Sequence, residues 1–290
     1  MREFKDKVAV ITGAASGIGR AMADRCVQEG MKVVLADVEL EALAKTEASM
    51  KASGATVLAV RTDVSQARDV EALAQETLEA FGAVHLLCNN AGVGTSTSAA
   101  IWEITIADWE WVIGVNLWGV IHGARIFVPI MLEQDTECHI VNTASIAGLI
   151  SGPGLGAYKV TKHAVVTLSE TLHHELAERG ARVKVSVLCP GAVSTRIMES
   201  ARNRPGHFPT TQPLHPASAA RLEALCQLVA AGMPPGQVAD AVFEAIRKDQ
   251  FYILTHPEGK ESVRTRMEDI LQGRSPTPPG PVSSGSSELP

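Results

Sequence analysis

Short apolar runs alternate with longer segments of helical periodicity along most of the chain. The first run, Lys7 to Thr12, is rich in β-branched residues, which is typical of a strand buried on both faces. Runs of this kind predict strands at residues 7–12, 31–36, 56–60, 84–88, 137–143, 182–188 and 250–254. The intervening and following segments predict helices at residues 20–29, 40–51, 67–81, 109–132, 156–179, 235–249 and 258–271. This alternation predicts a single α/β domain, a doubly wound parallel seven-stranded sheet with helices on both faces.

Small or polar residues lie at the ends of several predicted strands. They are Gly13, Asp37, Asn89, Ser145 and Pro190. Because the strands are predicted to be parallel, these ends meet at one edge of the sheet, where ligands bind in such folds. The sequence therefore predicts a ligand site at this edge.

Three glycines, Gly13, Gly17 and Gly19, lie between the first strand and the following helix. They would allow a tight turn and the close approach of a diphosphate, whose charge would lie on the helix N-terminus. An ordinary glycine-rich loop is the alternative, because many loops contain three glycines.

Asp37 ends the second predicted strand, about 20 positions beyond the glycines. A carboxylate there suits the ribose hydroxyls of an adenosine and repels the 2′-phosphate of NADP. We therefore expect NAD(H) to be favoured, with NADP(H) possible, since Arg20 is a nearby cation. The alternative is a solvated aspartate with no ligand.

Tyr158 and Lys162 are four residues apart in a predicted helix and share one face of it, and Ser145 lies upstream near a strand end. A phenol has a pKa of about 10, so its ionisation near pH 7 requires about 4 kcal/mol of stabilisation. A nearby ammonium favours the phenolate. The three groups can exchange a proton with a carbonyl or an alcohol. The alternative is an exposed amphipathic pair on a helix surface.

Asn116 interrupts an apolar stretch of the helix predicted at 109–132. A buried amide needs hydrogen-bond partners, so this residue could hold a kink and a water molecule. A helix-to-helix hydrogen bond is the alternative.

Composition narrows the class of protein. The 290 residues are 46% hydrophobic and 20% charged, which suits one large domain, and the net charge of -6 argues against a nucleic-acid partner. The five widely spaced cysteines and nine histidines show no metal-ligand spacing, so no metal site is expected. The charged first residues do not resemble a secretory signal, and we expect no apolar stretch to approach the length of a membrane span. We expect a cytoplasmic protein without a membrane partner.

Residues 192–232 depart from the regular alternation and are predicted to cover a pocket; a surface insertion without a binding role is the alternative. An apolar pocket is predicted from Met198, Phe208, Leu214, Ile101 and Trp102. Three arginines of the cover hint at a charged substrate, or form a solvated face: Arg196, Arg202 and Arg204. The Pro/Ser/Gly-rich tail from Arg274 is expected to be disordered.

Several motifs over residues 5–255 together resemble the short-chain dehydrogenase/reductase superfamily, in its compact single-domain form. They are Thr12-Gly13-x-x-x-Gly17-x-Gly19, the pair Asp63-Val64, Asn89-Asn90-Ala91-Gly92, the tetrad Asn116, Ser145, Tyr158 and Lys162, and Pro190-Gly191 with Thr195. The resemblance implies a Rossmann-like domain at 1–255, followed by a C-terminal helix at 256–273 and the tail at 274–290. It also implies a homotetramer or homodimer.

The resemblance further implies NAD(P)-dependent interconversion of a secondary alcohol and a ketone. Ser145 would orient the substrate oxygen, Tyr158 would be the general acid or base, and Lys162 would lower its pKa and bind the nicotinamide ribose. Asn116 would hold a water in the proton path. The implied cofactor-binding residues are Gly13, Ser16, Gly17, Ile18, Gly19, Asp37, Asp63, Val64, Asn90, Ala91, Gly92, Tyr158, Lys162, Pro190, Gly191, Val193 and Thr195.

Other activities remain open on the same fold. The chain could be a non-catalytic sensor of nicotinamide dinucleotide, or a reductase of a 3-oxoacyl thioester. Relatives that eliminate halide use an arginine with the tyrosine and lack the dinucleotide site, so Lys162 and the glycine turn argue against that chemistry.

Overall fold

The computed structural model describes residues 1–94, 99–206 and 215–278. Within these ranges, seven strands form one parallel sheet in the order β3-β2-β1-β4-β5-β6-β7. The strands are β1 Val8–Thr12, β2 Lys32–Asp37, β3 Val57–Arg61, β4 Leu86–Asn89, β5 Cys138–Thr143, β6 Val183–Leu188 and β7 Tyr252–Ile253. The predicted doubly wound parallel sheet is confirmed.

Helices follow the strands and cover both faces of the sheet. They are α1 Gly17–Gln28, α2 Leu40–Ala52, α3 Ala67–Phe81, α4 Ile106–Ile113, α5 Gly119–Glu133, α6 Gly156–Glu178, α7 Pro216–Ala230, α8 Pro235–Arg247 and α9 Lys260–Leu271. Burial of both sheet faces explains why β1 is buried at all five positions and shows no polar alternation.

Two large hydrophobic clusters lie on opposite faces of the sheet. One contains Phe243 of α8 and Met22 of α1, and the other contains Phe127 of α5 and Leu73 of α3. Removal of these side chains from water stabilises the sheet from both sides. The strand order reverses between β1 and β4, which are neighbours, so their carboxyl ends open side by side.

The helix predicted at 109–132 is longer than expected and is not regular. It begins at Ile106, where the side chain of Thr105 accepts a hydrogen bond from the backbone of Asp108, and it contains a π-helical turn at Gly114–Trp118. Residues 106–133 are long and apolar enough to cross a membrane by length and composition, since an 18-residue window within them has a mean hydropathy of 1.4. The expectation that no stretch reaches that length is therefore wrong. The buried Phe127 and Met131 pack this helix on the sheet, as in a core helix.

The C-terminal part of the chain differs from the sequence expectation. Residues 274–278 fold back on α9: the Arg274 side chain pairs with Asp269 at 3.0 Å, and the Thr277 amide donates to Asp269 Oδ2 at 2.8 Å. The predicted cover forms 3-10 turns at Ile197–Asn203 and then α7. Phe208 and Leu214 of the predicted pocket, and residues 279–290 of the tail, lie outside the described residues.

Replacement of Gly123 by alanine should destabilise the protein by about 2 kcal/mol or more, because an added Cβ would lie 2.1 Å from Asn89 Oδ1. The matched control is Gly236→Ala in α8, where nothing lies within 4 Å of the new methyl group. That change should alter the free energy of unfolding by less than about 1 kcal/mol. Urea denaturation measures both; equal effects would contradict the packing described for α5 on β4.

Candidate active site

A large cavity opens at the carboxyl edge of the sheet, with a volume of about 1070 Å³. Segments that follow β1, β2, β4, β5 and β6 line it, as the strand ends predicted. Of the predicted site residues, the cavity brings together Gly13, Ser16, Gly17, Ile18, Asp37, Asp63, Val64, Asn90, Ala91, Gly92, Ser145, Tyr158, Lys162, Pro190, Gly191, Val193 and Thr195. Gly19 and Asn116 do not line the cavity.

The glycine turn is shaped by backbone conformation and by contact. Gly13 has a φ of 67°, and a Cβ there would lie 2.9 Å from the Ala91 Cα atom. A Cβ at Gly19 would lie 2.1 Å from the Gly13 carbonyl oxygen. Only glycine therefore allows α1 to begin directly behind the turn, where its N-terminal amides can meet a diphosphate.

Asp37 is held in one orientation at the end of β2. Its Oδ2 atom accepts from the Ala15 amide at 2.9 Å, and its Oδ1 atom accepts from the Glu39 amide at 3.0 Å. Burial raises the pKa of this carboxyl, while the two amide hydrogen bonds act in the opposite direction. The aspartate is thus a fixed acceptor beside the glycine turn, as a ribose site requires.

The Thr12 hydroxyl joins the end of β1 to the segment after β4. It accepts from the Asn90 amide at 2.9 Å and from the Ala91 amide at 3.0 Å. The Asn90 side chain returns a hydrogen bond to the Thr12 carbonyl at 2.9 Å. The sequence motif includes Thr12 but does not indicate this contact. A hydroxyl is needed here because it accepts from the two amides that follow β4, the neighbouring strand.

Ser145, Tyr158 and Lys162 meet at one end of the cavity. The Lys162 ammonium donates to the Thr143 carbonyl at 2.9 Å and lies 5.5 Å from the centroid of the Tyr158 ring. Ser145 Oγ accepts from the Ala147 amide at 3.1 Å. Because α6 begins at Gly156, the four-residue spacing does place the phenol and the ammonium on the same face.

Burial determines the protonation of this group. It raises the pKa of the Tyr158 phenol, although a hydrogen bond with Ser145 opposes the change. It lowers the pKa of Lys162 to about 8. The pKa of Tyr158 thus lies above its ordinary value and that of Lys162 below it, because loss of hydration disfavours both charged forms.

Asn116 lies fully buried within the π-helical turn. Its Oδ1 atom accepts from the Val93 amide at 2.8 Å, and its Nδ2 atom donates to the Val93 carbonyl at 2.9 Å. Nδ2 also lies 3.4 Å from the Thr161 hydroxyl of α6, so the helix-to-helix hydrogen bond considered from the sequence is present. Protein groups thus occupy the amide, and Asn116 does not line the cavity.

Known proteins share this arrangement of strands and motifs. Residues 7–206 match the family model described as short chain dehydrogenase. The chain belongs to the short-chain dehydrogenase family.

Among described residues, no group of three or more histidine, cysteine, aspartate or glutamate side chains could hold a metal ion.

Relatives of this short-chain dehydrogenase span nearly its whole length. A CLA biosynthesis dehydrogenase/reductase from Lactiplantibacillus plantarum is 35% identical over 95% of this chain and 97% of that protein. A 1-deoxy-11-beta-hydroxypentalenate dehydrogenase from Streptomyces exfoliatus is 34% identical over 96% of this chain and 93% of that protein. A short chain dehydrogenase/reductase from Burkholderia phymatum, solved in complex with NAD, is 50% identical with a TM-score of 0.94, over 97% of this chain and 100% of that chain.

His256 is a residue of this dehydrogenase that sequence reasoning missed. Its Nδ1 atom accepts from the Gly191 amide at 2.9 Å, so the neutral ring carries its proton on Nε2, which donates to the Ala192 carbonyl at 2.9 Å. A Cβ at Gly191 would lie 2.7 Å from the ring. The histidine thus supports the segment after β6, but it lies 65 residues away along the chain, and no spacing signals the contact.

The outer part of the cavity is built by segments that the sequence left unassigned. The α9 side chains of Ser262, Thr265 and Arg266 line it, together with Thr277 and Pro278 of the folded-back tail. Met198 lines the cavity as expected, whereas Ile101 and Trp102 do not and are 56% and 83% exposed. The C-terminal helix is therefore part of the pocket of this dehydrogenase.

Two of the arginines line the cavity: Arg196 and Arg202. The Arg196 side chain is also 54% exposed, as the solvated-face alternative expects, whereas that of Arg202 is 24% exposed. The third, Arg204, is buried and pairs with Asp108 of α4 at 2.5 Å. Its guanidinium also lies 5.2 Å from the centroid of the Trp111 ring. Arg202, which pairs with Glu39, and Arg204 thus hold the cover to the walls of the cavity, whereas Arg196 pairs with Glu199 of the cover itself.

Replacement of Lys162 by methionine should stabilise the ligand-free protein at pH 7 by about 1–2 kcal/mol. The fall in its pKa from 10.5 to about 8 corresponds to about 3 kcal/mol, and loss of the hydrogen bond to Thr143 offsets about 1–2 kcal/mol. Since the folded-state pKa lies below that of the unfolded chain, this cost is complete below pH 8 and disappears as the pH rises towards 10.5.

Urea denaturation at pH 7 and at pH 10, without dinucleotide, measures this difference. The control is Lys248→Met, an exposed lysine paired with Glu244, which should show almost no change between the two pH values. A destabilised Lys162→Met protein at both pH values would show instead that the buried ammonium stabilises the fold.

Proposed function

We propose that this chain is an NAD(H)-linked alcohol dehydrogenase or ketoreductase that interconverts a secondary alcohol and a ketone, with Tyr158 as the general acid or base. One observation supports the proposal above all. The serine, tyrosine and lysine meet in the same cavity as the glycine turn and the strand-end aspartate, so a dinucleotide and a small substrate can occupy it together.

The residues of the cavity suit a nicotinamide dinucleotide. The glycine turn leaves room that a Cβ would fill, the N-terminus of α1 suits the diphosphate, and Asp37 presents a fixed carboxylate to a ribose. When bound, the nicotinamide supplies or accepts the hydride. The protein then has to orient the substrate oxygen and transfer its proton.

Ser145 and Tyr158 would perform these two tasks. Ser145 Oγ now lies 3.4 Å from the Pro190 carbonyl, a long contact that it could exchange for the substrate oxygen. Tyr158 is held beside it by the first turn of α6 and shares a hydrogen bond with it. In ketone reduction the phenol donates its proton to the substrate oxygen, and in alcohol oxidation the phenolate accepts it.

Lys162 would assist by charge. Burial keeps the phenol protonated in the ligand-free protein, so extra positive charge is needed before oxidation can proceed. The ammonium beside the ring already favours the phenolate, and the nicotinamide of NAD would add the further positive charge. The proton path would continue past Gly92, where a Cβ would lie 3.4 Å from Asn116 Oδ1 and 3.5 Å from Lys162 Nζ. Because protein groups occupy the Asn116 amide, a water in this path stays a prediction.

Asp37 supports a preference for NAD over NADP. Its carboxylate is partly shielded from solvent and fixed by two amides, so it would repel a 2′-phosphate at short range. The Burkholderia phymatum relative was solved in complex with NAD, which agrees with this preference.

We also infer a cytoplasmic enzyme that acts on a small alcohol or ketone and assembles as a homotetramer or homodimer. Exposed apolar side chains on the long helices support self-association: Trp118 and Val160 are each 47% exposed. Burial of these side chains between copies would remove apolar surface from water.

Replacement of Tyr158 by phenylalanine should lower kcat by about 10³-fold or more, since no group would then transfer the proton. NADH binding should change by less than about threefold, because the ring remains and only the hydroxyl is lost. Absorbance of reduced nicotinamide with a panel of secondary alcohols and ketones measures turnover, and fluorescence titration measures binding. Retained turnover would exclude Tyr158 as the acid or base, and a non-catalytic sensor would show no turnover in either protein.

Replacement of Asp37 by serine should raise the ratio of kcat/KM for NADP to that for NAD by about 10²-fold, because it removes the charge that repels the 2′-phosphate. The matched control is Asp240→Ser, an exposed carboxylate on α8 that pairs with Arg25 away from the cavity. An unchanged ratio in Asp37→Ser would show that this aspartate does not select the cofactor.

A further inference from the structure

Glu39 forms hydrogen bonds with the cover, residues 192–232, in the part of the cavity beside Asp37, where the adenosine ribose is proposed to bind. Its Oε1 atom accepts hydrogen bonds from three donors of the cover: Arg202 Nη2 at 2.7 Å, Arg202 Nε at 3.0 Å and Asn203 Nδ2 at 2.8 Å. The two side chains of the ion pair are 21% and 24% exposed, so the contact is mostly screened from solvent. All three residues line the cavity.

The glutamate also lies directly beside the proposed ribose site. Its backbone amide donates to Asp37 Oδ1, so the two carboxylates belong to one turn at the end of β2. Although burial would raise it, the hydrogen bonds from Arg202 and Asn203 hold the pKa of Glu39 below its ordinary value. Glu39 therefore carries its negative charge throughout the neutral range.

Other residues of the cover are held by contacts that do not involve Glu39. The Gly94 amide donates to the Ser200 hydroxyl at 3.0 Å, and Arg204 pairs with Asp108 of α4. Loss of the Glu39 contact would therefore free the Arg202 guanidinium without detaching the whole segment. Arg202 also donates to the Arg196 carbonyl at 3.0 Å, which keeps it near the cavity.

We propose that Glu39 is a second determinant of cofactor specificity, which acts by withholding Arg202 from the 2′-phosphate of NADP. This inference rests on the proposed dinucleotide site. Glu39 accepts from Arg202 Nε and Nη2, and the Arg196 carbonyl accepts from Nη1, so the paired N–H groups that could bind a phosphate are engaged. Glu39 thus lowers the affinity for NADP in two ways. It adds a negative charge beside Asp37, and it engages the nearby arginine that could bind the 2′-phosphate.

The test starts from Asp37→Ser, in which the first repulsion has been removed. Glu39→Gln is added, because glutamine keeps an oxygen acceptor for Asn203 but releases Arg202 from its ion pair. Equilibrium titration with NADH and NADPH should then show about tenfold tighter NADPH binding and less than threefold change for NADH. Addition of Arg202→Met should abolish the gain for NADPH.

The control is Glu244→Gln in the Asp37→Ser protein. This change removes an equal charge from the exposed pair of Glu244 and Lys248 on α8, and neither residue lines the cavity. It should change the ratio of NADPH to NADH affinity by less than threefold. A second variant gives the opposite sign: Arg202→Met with Glu39 retained leaves the glutamate uncompensated and should weaken NADPH binding relative to NADH.

Two outcomes would overturn the inference. Equal changes in NADH and NADPH affinity would show that Glu39 acts only by closing the cover, and a gain that persists after Arg202→Met would exclude the arginine. In both cases NADH binding by the unmodified protein leaves the proposed function intact. If the unmodified protein binds neither dinucleotide, the proposed function fails and the inference fails with it.

Discussion

The hydrogen bonds between the end of β1 and the segment after β4 control the shape of the whole site. A single hydroxyl, that of Thr12, accepts from two consecutive amides, and this is possible only because the strand order reverses there and makes the two strands neighbours. The contact sets how close the glycine turn lies to Ala91, and hence how much space a diphosphate and a nicotinamide would share. The other site segments depend on that spacing.

Burial of ionisable groups is the second constraint, and it works against the charged forms of the side chains that we propose to react. The phenol, the ammonium and the strand-end carboxyl are all shifted towards neutrality in the ligand-free protein. The protein therefore gives up stability at the site where it needs reactive groups. A cationic partner in the cavity would favour the phenolate and the carboxylate but disfavour the ammonium, so ligand binding and protonation are coupled there.

The sequence predicted the sheet, the helices and most of the residues that line the cavity, because those features follow from short-range patterns. Strand ends, the glycine turn and the spacing of Tyr158 and Lys162 can all be recognised within a few residues. The rest depends on contacts between distant segments. No local pattern pairs His256 with Gly191, places α9 over the cavity or joins Arg202 to Glu39. The direction of the Tyr158 pKa also depends on burial, which spacing alone does not reveal.

The proposed cofactor-binding residues and the segments that close the outer cavity lie in different parts of the chain, and this separation has an evolutionary consequence. The family model ends at residue 206, after the last of the residues expected to bind the cofactor or transfer the proton. The outer cavity is closed largely by later segments, namely α7, α9 and residues 274–278. Mutations in the last third of the gene can therefore change which molecules enter while the reacting groups stay in place. A lineage that inherits this scaffold can acquire new substrates by exchanging its carboxyl-terminal region.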